Sequence, residues 1–400
     1  MIAKYGTKIL DLEQQSSQYV GIPLLLLGNV TLLGLSLLAG SLSVPAVVAL
    51  AIFPGSIFSL WQLQILHDCL HGTLLDRRTM SAKNKSTWQQ RILFWGSLPC
   101  VFGYYLYLQY GHLSHHKSFG SEEATLLQLF DSSQVDFEDG DVLFASHRMK
   151  LKGPIGPQLP LPEVGNWDKT KAEGEGDVGD DNVKNPRRRL TMSISRTGFH
   201  FWQMGQPIWN ATVFAASFLF ERYMLCWNDV IVAISGRNFF FPNKPQEFHQ
   251  QCATYTRCAV ALRLALFLVA GWKSLLFLYL SETLWSIPPH PACAMFITNH
   301  GSKSAEDNDD GACQPTSSTY AGAWYSILTL GTNYHCEHHD FPSIPFHLLS
   351  ELHQIAPEFY LSARGDYPKA NDHVFDIMKR TFAQPDFYAC SNSNRLQEFS

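Results

Sequence analysis

Residues 14–66 read QQSSQYVGIPLLLLGNVTLLGLSLLAGSLSVPAVVALAIFPGSIFSLWQLQIL and contain no Asp, Glu, Lys or Arg. A membrane-spanning helix needs about 20 apolar residues, so this stretch is long enough for two such helices. The small and polar residues at 40–43 predict a tight turn between them. We therefore predict a helical hairpin over residues 20–39 and 44–66, because a soluble helix pair rarely extends this far without a charged face.

The composition of the whole chain fits this prediction. Of its 400 residues, 46% are hydrophobic and 16% are charged, and the net charge is -5. This charge gives no basic field for nucleic acid, so nucleic-acid binding is excluded. Nine cysteines without a CxxC pair predict reduced thiols. Residues 1–19 lack the basic and apolar pattern of a cleaved signal, and we predict that they lie in the cytosol.

A second apolar region predicts a second hairpin. Residues 255–289 are rich in Leu, Ala and Phe and break at residues 271–274. With the first hairpin, this region predicts an all-α integral membrane protein with about four transmembrane helices. Residues 207–234 are also apolar, but Glu221, Arg222 and Asp229 argue against a simple span there.

The segments outside the hairpins are polar or mixed. Residues 140–195, rich in Gly, Pro, Asp, Lys and Arg, predict a flexible polar insertion. The apolar, aromatic stretch 92–110 contains Gly and Pro and fits a span, a re-entrant segment or an interfacial helix. The predicted cytosolic or interfacial regions are residues 67–139, 196–254 and 290–400.

Three short windows hold eight of the 16 histidines. They are HDCLH (His67, His71), HLSHH (His112, His115, His116) and HCEHH (His335, His338, His339). Residues i, i+3 and i+4 share one helical face, so the imidazoles of each HxxHH window point towards a common place. Imidazole is a common ligand of transition metals, and eight are too many for one ion. The windows predict two metal ions.

The spacing also limits which metals fit. A zinc site uses three or four ligands, commonly with Cys or in an HExxH motif, and neither pattern is present. A soluble carboxylate-bridged di-iron bundle would use Glu-x-x-His on facing helices. What remains is a histidine-rich pair of irons beside membrane helices, which is suited to activating O2 against a lipid C–H bond. The neighbouring Asp68, Glu337 and Asp340 either orient imidazoles or are solvated carboxylates.

Topology constrains the chain between the windows. Ligands of one metal centre must lie on the same side of the membrane, so an even number of crossings must separate successive windows. Residues 92–110 therefore cannot be a single span, and we favour an interfacial helix there. The hairpin over 255–289 supplies two crossings, which requires that residues 207–234 do not cross alone.

The chain resembles the membrane fatty-acyl desaturases, whose hallmark is HxxxH, HxxHH and HxxHH in this order. Within that family it is most similar to the sphingolipid delta-4 desaturases. The matching stretches are FFFPNKP (239–245), GWKSLLFLYL (271–280), HPACAMFITNH (290–300) and NYHCEHHDFPSIP (333–345). It departs from that subfamily at Asp68, Met295 and Asn299, where those enzymes have glutamate, histidine and glutamate, respectively.

The resemblance implies a cytosolic helical domain with a histidine-ligated di-iron centre, to which His300 would be a ninth ligand. It implies O2 as co-substrate, a ceramide or acyl-chain lipid as substrate, and cytochrome b5 with its reductase as electron donors. The expected location is the endoplasmic reticulum membrane, with the histidine windows facing the cytosol. We accordingly expect a desaturase that introduces a delta-4 double bond into the sphingoid base of dihydroceramide.

Two other functions stay open from the sequence. One is a hydroxylase or ketolase of the same iron architecture, acting on a sphingolipid, fatty acid or carotenoid. The other is a membrane metal-binding protein without enzyme activity. Transport sites lie within membrane spans, whereas these histidines lie outside them, which disfavours the latter.

Overall fold

The computed structural model describes residues 1–76, 80–100, 196–238, 245–299, 318–361 and 373–383. All regular elements within these ranges are helical, as the sequence predicts. Three helices in this part of the chain are long and apolar enough to cross a membrane, namely Gln18–Ala39, Val44–Leu70 and Gln246–Ala270.

The helices follow one another in a simple order. They are α1 (Ile2–Glu13), α2 (Gln18–Ala39), α3 (Val44–Leu50), a π-helical turn (Ala51–Gly55), α4 (Ser56–Leu70), α5 (Ala82–Ser97), α6 (Arg196–Ser235), α7 (Gln246–Ala270), α8 (Trp272–Leu284), α9 (Cys293–Thr298), α10 (Ala323–Leu328), α11 (His335–Asp340), a 3-10 turn (Phe346–Leu348), α12 (Leu349–Ile355), α13 (Pro357–Leu361) and α14 (Val374–Ala383).

Helix α2 packs through one stripe of its surface. The buried residues recur every three or four positions and are Gly21, Leu25, Gly28, Leu32, Ser36 and Ala39. The small residues let neighbouring backbones approach closely: a Cβ on Gly28 would lie 3.6 Å from the backbone oxygen of Phe58 in α4. Leucines such as Leu26 and Leu27 stay exposed on other faces, as expected of a helix in contact with lipid.

The turns of the two helix pairs lie against each other. A Cβ on Gly40, after α2, would lie 2.4 Å from the backbone oxygen of Ala270, the last residue of α7. Gly271 follows with φ +77, a conformation that favours glycine, and the chain reverses there into α8. Ser36 Oγ donates to the Ser274 backbone oxygen at 3.1 Å. The turns of the two helix pairs therefore lie at the same end of the bundle.

The second helix pair differs from its predicted form. Helix α7 begins at Gln246, after Pro245, rather than near residue 255. Helix α8 has 13 residues, fewer than the roughly 20 that a simple span requires. The break between them at Gly271 agrees with the predicted turn.

Helix α6 is a continuous helix of 40 residues. A helix of this length extends about 60 Å. Asp229, whose charge argued against a simple membrane span, is buried and pairs with Arg263 of α7 at 2.7 Å. The ion pair gives each of these two buried charges a partner of opposite sign inside the bundle.

Helix α5 ends inside the bundle, where side chains from three other helices donate to its terminal carbonyls. Gln62 Nε2 and Asn29 Nδ2 donate to the Gly96 oxygen at 2.9 and 3.2 Å. Tyr255 OH donates to the Ser97 oxygen at 3.0 Å. In the turn that follows, Arg263 Nη2 donates to the Cys100 oxygen at 3.3 Å. These donors satisfy backbone groups that the end of a helix leaves unpaired.

Candidate metal centre

Three predicted ligands from distant parts of the chain converge. His67 and His71 lie one turn apart where α4 ends, and His338 lies on α11. Their ligand nitrogens all lie within 4.8 Å of one another. A metal–imidazole bond of about 2.1 Å puts opposite ligands about 4.2 Å apart, so small side-chain rotations would let the three nitrogens share one ion. The donor set therefore fits a transition metal.

The rings pack in a triangle. The centroid distances are 4.6 Å between His67 and His71, 4.4 Å between His67 and His338, and 4.8 Å between His71 and His338. His338 is buried, and the other two rings are half-buried. Neutral imidazole is the form that binds metal, and shielding from bulk water preserves a defined coordination sphere.

The other two histidines of HCEHH form a second pair. The Nε2 atoms of His335 and His339 lie 3.1 Å apart, and their ring centroids lie 4.5 Å apart. The His338 ring is farther away, 6.2 Å from His335 and 5.8 Å from His339. Helix α11 therefore presents one imidazole to the first-window histidines and two to a neighbouring place. The sequence predicted that these histidines act together, but it did not predict this division.

The remaining predicted ligands, His112, His115, His116 and His300, lie outside the described residues. Their participation stays a prediction.

The Asp68 carboxylate lies between the first window and the loop after the third. It accepts a hydrogen bond from Ser17 Oγ at 2.8 Å, and the backbone N–H of Phe346 donates to both of its oxygens at 3.3 Å. Asp68 is 3% exposed, so these bonds are shielded from water. They make Asp68 a link between two segments that carry candidate ligands.

Glu337 lies between the histidines of the third window and is completely buried. Its Oε2 accepts from Ser318 Oγ at 2.6 Å, and its Oε1 accepts from Tyr320 OH at 2.7 Å. His353 Nδ1 lies 2.7 Å from the same Oε1. Burial and the neighbouring Glu337 carboxylate raise the pKa of Tyr320, so its phenol stays protonated and acts as a donor. Glu337 thus fixes α11 to two other segments.

Asp340, at the end of α11, is exposed.

His353 was not singled out from the sequence. A single histidine at no special spacing carries no signal. Its ring lies between tyrosines, with centroid distances of 4.6 Å to Tyr320, 5.7 Å to Tyr334 and 5.9 Å to Tyr360. These three tyrosines and the buried Glu337 carboxylate come together around His353 only in the folded chain.

Two further residues missed from the sequence hold the backbone around His71. Lys85 Nζ donates to the Gly72 oxygen at 2.6 Å, and Gln89 Nε2 donates to the Leu70 oxygen at 2.7 Å. Both come from α5, one turn apart. The positive charge of a lysine near the C-terminal end of a helix also interacts favourably with the negative end of the helix dipole. These contacts position the last turn of α4, which carries the first window.

Comparison with known proteins gives an independent result for the second half of the chain. Residues 190–368 match the family profile "Fatty acid desaturase". This region includes His300 and the whole third window. No solved structure matches the chain.

Several curated relatives carry similar names. The sphingolipid delta(4)-desaturase DES1-like protein of Oryza sativa is 38% identical over 104 residues, covering 25% of this chain and 28% of the relative. The sphingolipid delta(4)-desaturase/C4-monooxygenase DES2 of Homo sapiens is 33% identical over 129 residues, 30% of this chain and 36% of the relative. The sphingolipid delta(4)-desaturase DES1 of Mus musculus is 30% identical over 163 residues, 39% of this chain and 46% of the relative.

The chain thus spans less than half the length of each of these three relatives. The matched region nevertheless agrees with the family profile and with the window that supplies three of the converging or paired imidazoles. Residues 190–368 of this chain are therefore similar to fatty acid desaturases.

Proposed function

We propose that the protein is a membrane lipid desaturase, an oxidoreductase whose histidine windows hold two iron ions. The observation that carries the proposal is the convergence of His67, His71 and His338. They meet at the end of an apolar helix, in a chain that carries a fatty acid desaturase domain. A lipid chain held between membrane helices could reach a reactive centre at this place.

The two groups of imidazoles support two ion sites. His67, His71 and His338 would hold one ion, and His335 and His339 would contribute to the other. We propose His112, His115, His116 and His300 as the ligands that complete both sites, on the strength of the sequence alone. With both ions bound, the irons would supply the activation of O2.

The residues of the chain would supply position and shielding. Asp68, Lys85 and Gln89 hold the turn that carries the first window, and Glu337 holds the helix that carries the third. Fixed imidazoles keep a reactive centre at a constant distance from one carbon–carbon bond. Desaturation removes one hydrogen from each of the two carbons of that bond. These two hydrogens, together with two electrons from a donor and two protons, reduce O2 to two water molecules.

We propose the sphingoid base of dihydroceramide as the substrate, and the same base with a delta-4 double bond as the product. The names of the relatives support this choice. A second candidate is hydroxylation at C4, which the combined name of the human relative favours. In that case one hydrogen is abstracted and one oxygen atom stays on the lipid, so the same site would serve both outcomes.

The proposed setting follows from the topology. Convergence of His67 and His71 with His338 supports an even number of membrane crossings between them. We propose α8 as the fourth crossing helix, shorter than the other three, and the endoplasmic reticulum as the membrane. The windows would face the cytosol, where separate cytochrome b5 and reductase proteins would deliver electrons.

Expression in yeast that lacks sphingolipid desaturation tests the proposal. We expect sphingoid bases lighter by two mass units with a new double bond, whereas a gain of sixteen would identify the hydroxylase. His338→Ala should abolish either product while leaving membrane insertion intact. His373→Ala, a matched change of an exposed histidine, should leave the products unchanged. Unchanged lipids together with no iron in the purified protein would refute the proposal.

A further inference from the structure

The first helix of the chain lies against the segment that carries the third window. Ile9 and Leu12 are its two buried residues. They belong to an apolar cluster with Cys336, Ile344, Leu348, Leu349, Leu352 and Tyr360. At its other end, Lys4 Nζ and Tyr5 OH both donate to Glu358 Oε1 at 2.8 Å. Helix α1 is thus attached along its length to the third-window side of the candidate centre.

The residues after α1 are attached to the first window. Ser17 Oγ donates to Asp68 Oδ2 at 2.8 Å, and the Ser17 backbone N–H donates to the Thr73 oxygen at 3.0 Å. Ser17 has no exposed surface, and Asp68 is 3% exposed. A hydrogen bond to a carboxylate is stronger than one between neutral groups, and burial strengthens it further.

One carboxylate therefore joins three segments. Besides Ser17, Asp68 accepts from the backbone N–H of Phe346, in the loop after the third window. Because Asp68 directly follows His67 in the chain, a shift of the Asp68 backbone also shifts a candidate ligand. Residues 1–17, which we call the N-terminal clasp, contact both sides of this junction.

We propose that the N-terminal clasp fixes the first window against the third, and that Ser17 acts through Asp68 as a positioning residue for the candidate metal centre. The inference rests on the proposed function, since it treats His67, His71 and His338 as ligands of one ion. Metal ligands must be held to a fraction of an ångström, and residues behind them commonly change metal affinity by about 10–100-fold. The second pair, His335 and His339, lies on α11 alone, so the spacing between its two imidazoles is set within one helix and not across this junction.

The test measures iron release from the full-length protein. Purified protein in detergent is reduced without oxygen and mixed with a chromogenic Fe(II) chelator. In Ser17→Ala, we expect one of the two irons to leave about tenfold faster, equivalent to about 1.4 kcal/mol, and the other at an unchanged rate. Ser17→Thr keeps the hydroxyl and should restore the slow rate. Ser41→Ala, which removes an exposed hydroxyl at the turn after α2, is the matched control.

The outcomes separate the two proposals. Release of both irons from Ser17→Ala at the rate of the unmodified protein would overturn the clasp, as would equal acceleration of both. Equally fast release from Ser17→Thr and Ser17→Ala would mean that the hydroxyl is not responsible. Absence of iron from the unmodified protein would instead refute the proposed function, and the clasp with it.

A second variant covers the case in which Ser17→Ala fails to accumulate. Ser343 Oγ donates to Glu13 Oε1 on the third-window side of the clasp. Glu13→Gln weakens this bond without altering Asp68, and we expect the same single iron to leave faster, by about threefold. An unchanged release profile in Glu13→Gln would count against the clasp.

Discussion

Replacing Glu337 by glutamine removes one buried negative charge and keeps the size of the side chain. The carboxylate accepts hydrogen bonds from Ser318 and Tyr320, and His353 Nδ1 lies 2.7 Å from it. A glutamine can still accept at one oxygen, but its amide nitrogen is a donor and cannot replace the second oxygen. The change therefore tests whether the charge holds α11 in place.

The expected cost follows from these three contacts. A hydrogen bond to a charged group contributes about 1.5–3 kcal/mol, and one between neutral groups contributes about 1 kcal/mol. Loss of the charge at Glu337, which is completely buried, should lower the free energy of unfolding by about 2–5 kcal/mol. Since α11 carries His335, His338 and His339, we also expect a 10–100-fold loss of iron affinity.

Thermal unfolding in detergent and competition for iron with a chelator measure the two effects. We expect the midpoint of unfolding to fall by about 2–6 °C in Glu337→Gln. Glu351→Gln makes the same chemical change at an exposed position of α12 and should stay within about 0.5 kcal/mol of the unmodified protein. If the two variants match in both unfolding and iron affinity, the buried carboxylate has no positioning role.

Three further predictions concern the bundle. Asp229→Ala should lower the free energy of unfolding by about 3–5 kcal/mol because it leaves Arg263 buried without its partner. The double variant Asp229→Leu with Arg263→Leu should recover most of this stability. Equal thermal midpoints for the single and double variants would contradict this prediction. Burial lowers the pKa of His290 to about 4, so the unfolded chain binds a proton below about pH 6.5 that the folded one does not. Stability should therefore fall by up to about 3 kcal/mol from pH 6.5 to pH 4, and His290→Gln should flatten this dependence in unfolding measured across that range. Gly40→Ala should cost about 1–3 kcal/mol because its Cβ would lie 2.4 Å from a backbone oxygen, whereas Gly34→Ala, with nothing within 4 Å, should be neutral or stabilising in the same unfolding assay.

The sequence predicted most of the helices because their signals are local. A charge-free run long enough for two spans, with small residues at its middle, predicts the hairpin of α2 to α4 directly. The start of α7 was placed too late because its first two turns are polar, and only Pro245 marks their beginning. The pairing of Asp229 with Arg263 was not predicted, because spacing along the chain does not reveal a contact with another helix.

The three converging histidines were among the candidates predicted from the sequence, but their arrangement was not. Histidines three and four positions apart identify themselves by spacing, and His67, His71 and His338 were all found in this way. The placement of His338 apart from its neighbours depends on how α11 lies against α4, which is a tertiary property. His353 and Lys85 act through single contacts to other segments, so no pattern in the sequence indicates them.

The buried end of α5 has a consequence for the order in which the protein assembles. Asn29 and Gln62, which cover the Gly96 oxygen, are synthesised before α5. The side chains that donate to the Ser97 and Cys100 oxygens belong to α7 and are separated from them by 158 and 163 residues of chain. The Ser97 oxygen also accepts from the Cys100 backbone N–H at 2.9 Å, and the side chains of α7 complete the hydrogen bonding at this end of α5. The ribosome must therefore complete α7 before the end of α5 can acquire all of its native hydrogen bonds, so this part of the bundle is finished late in biosynthesis.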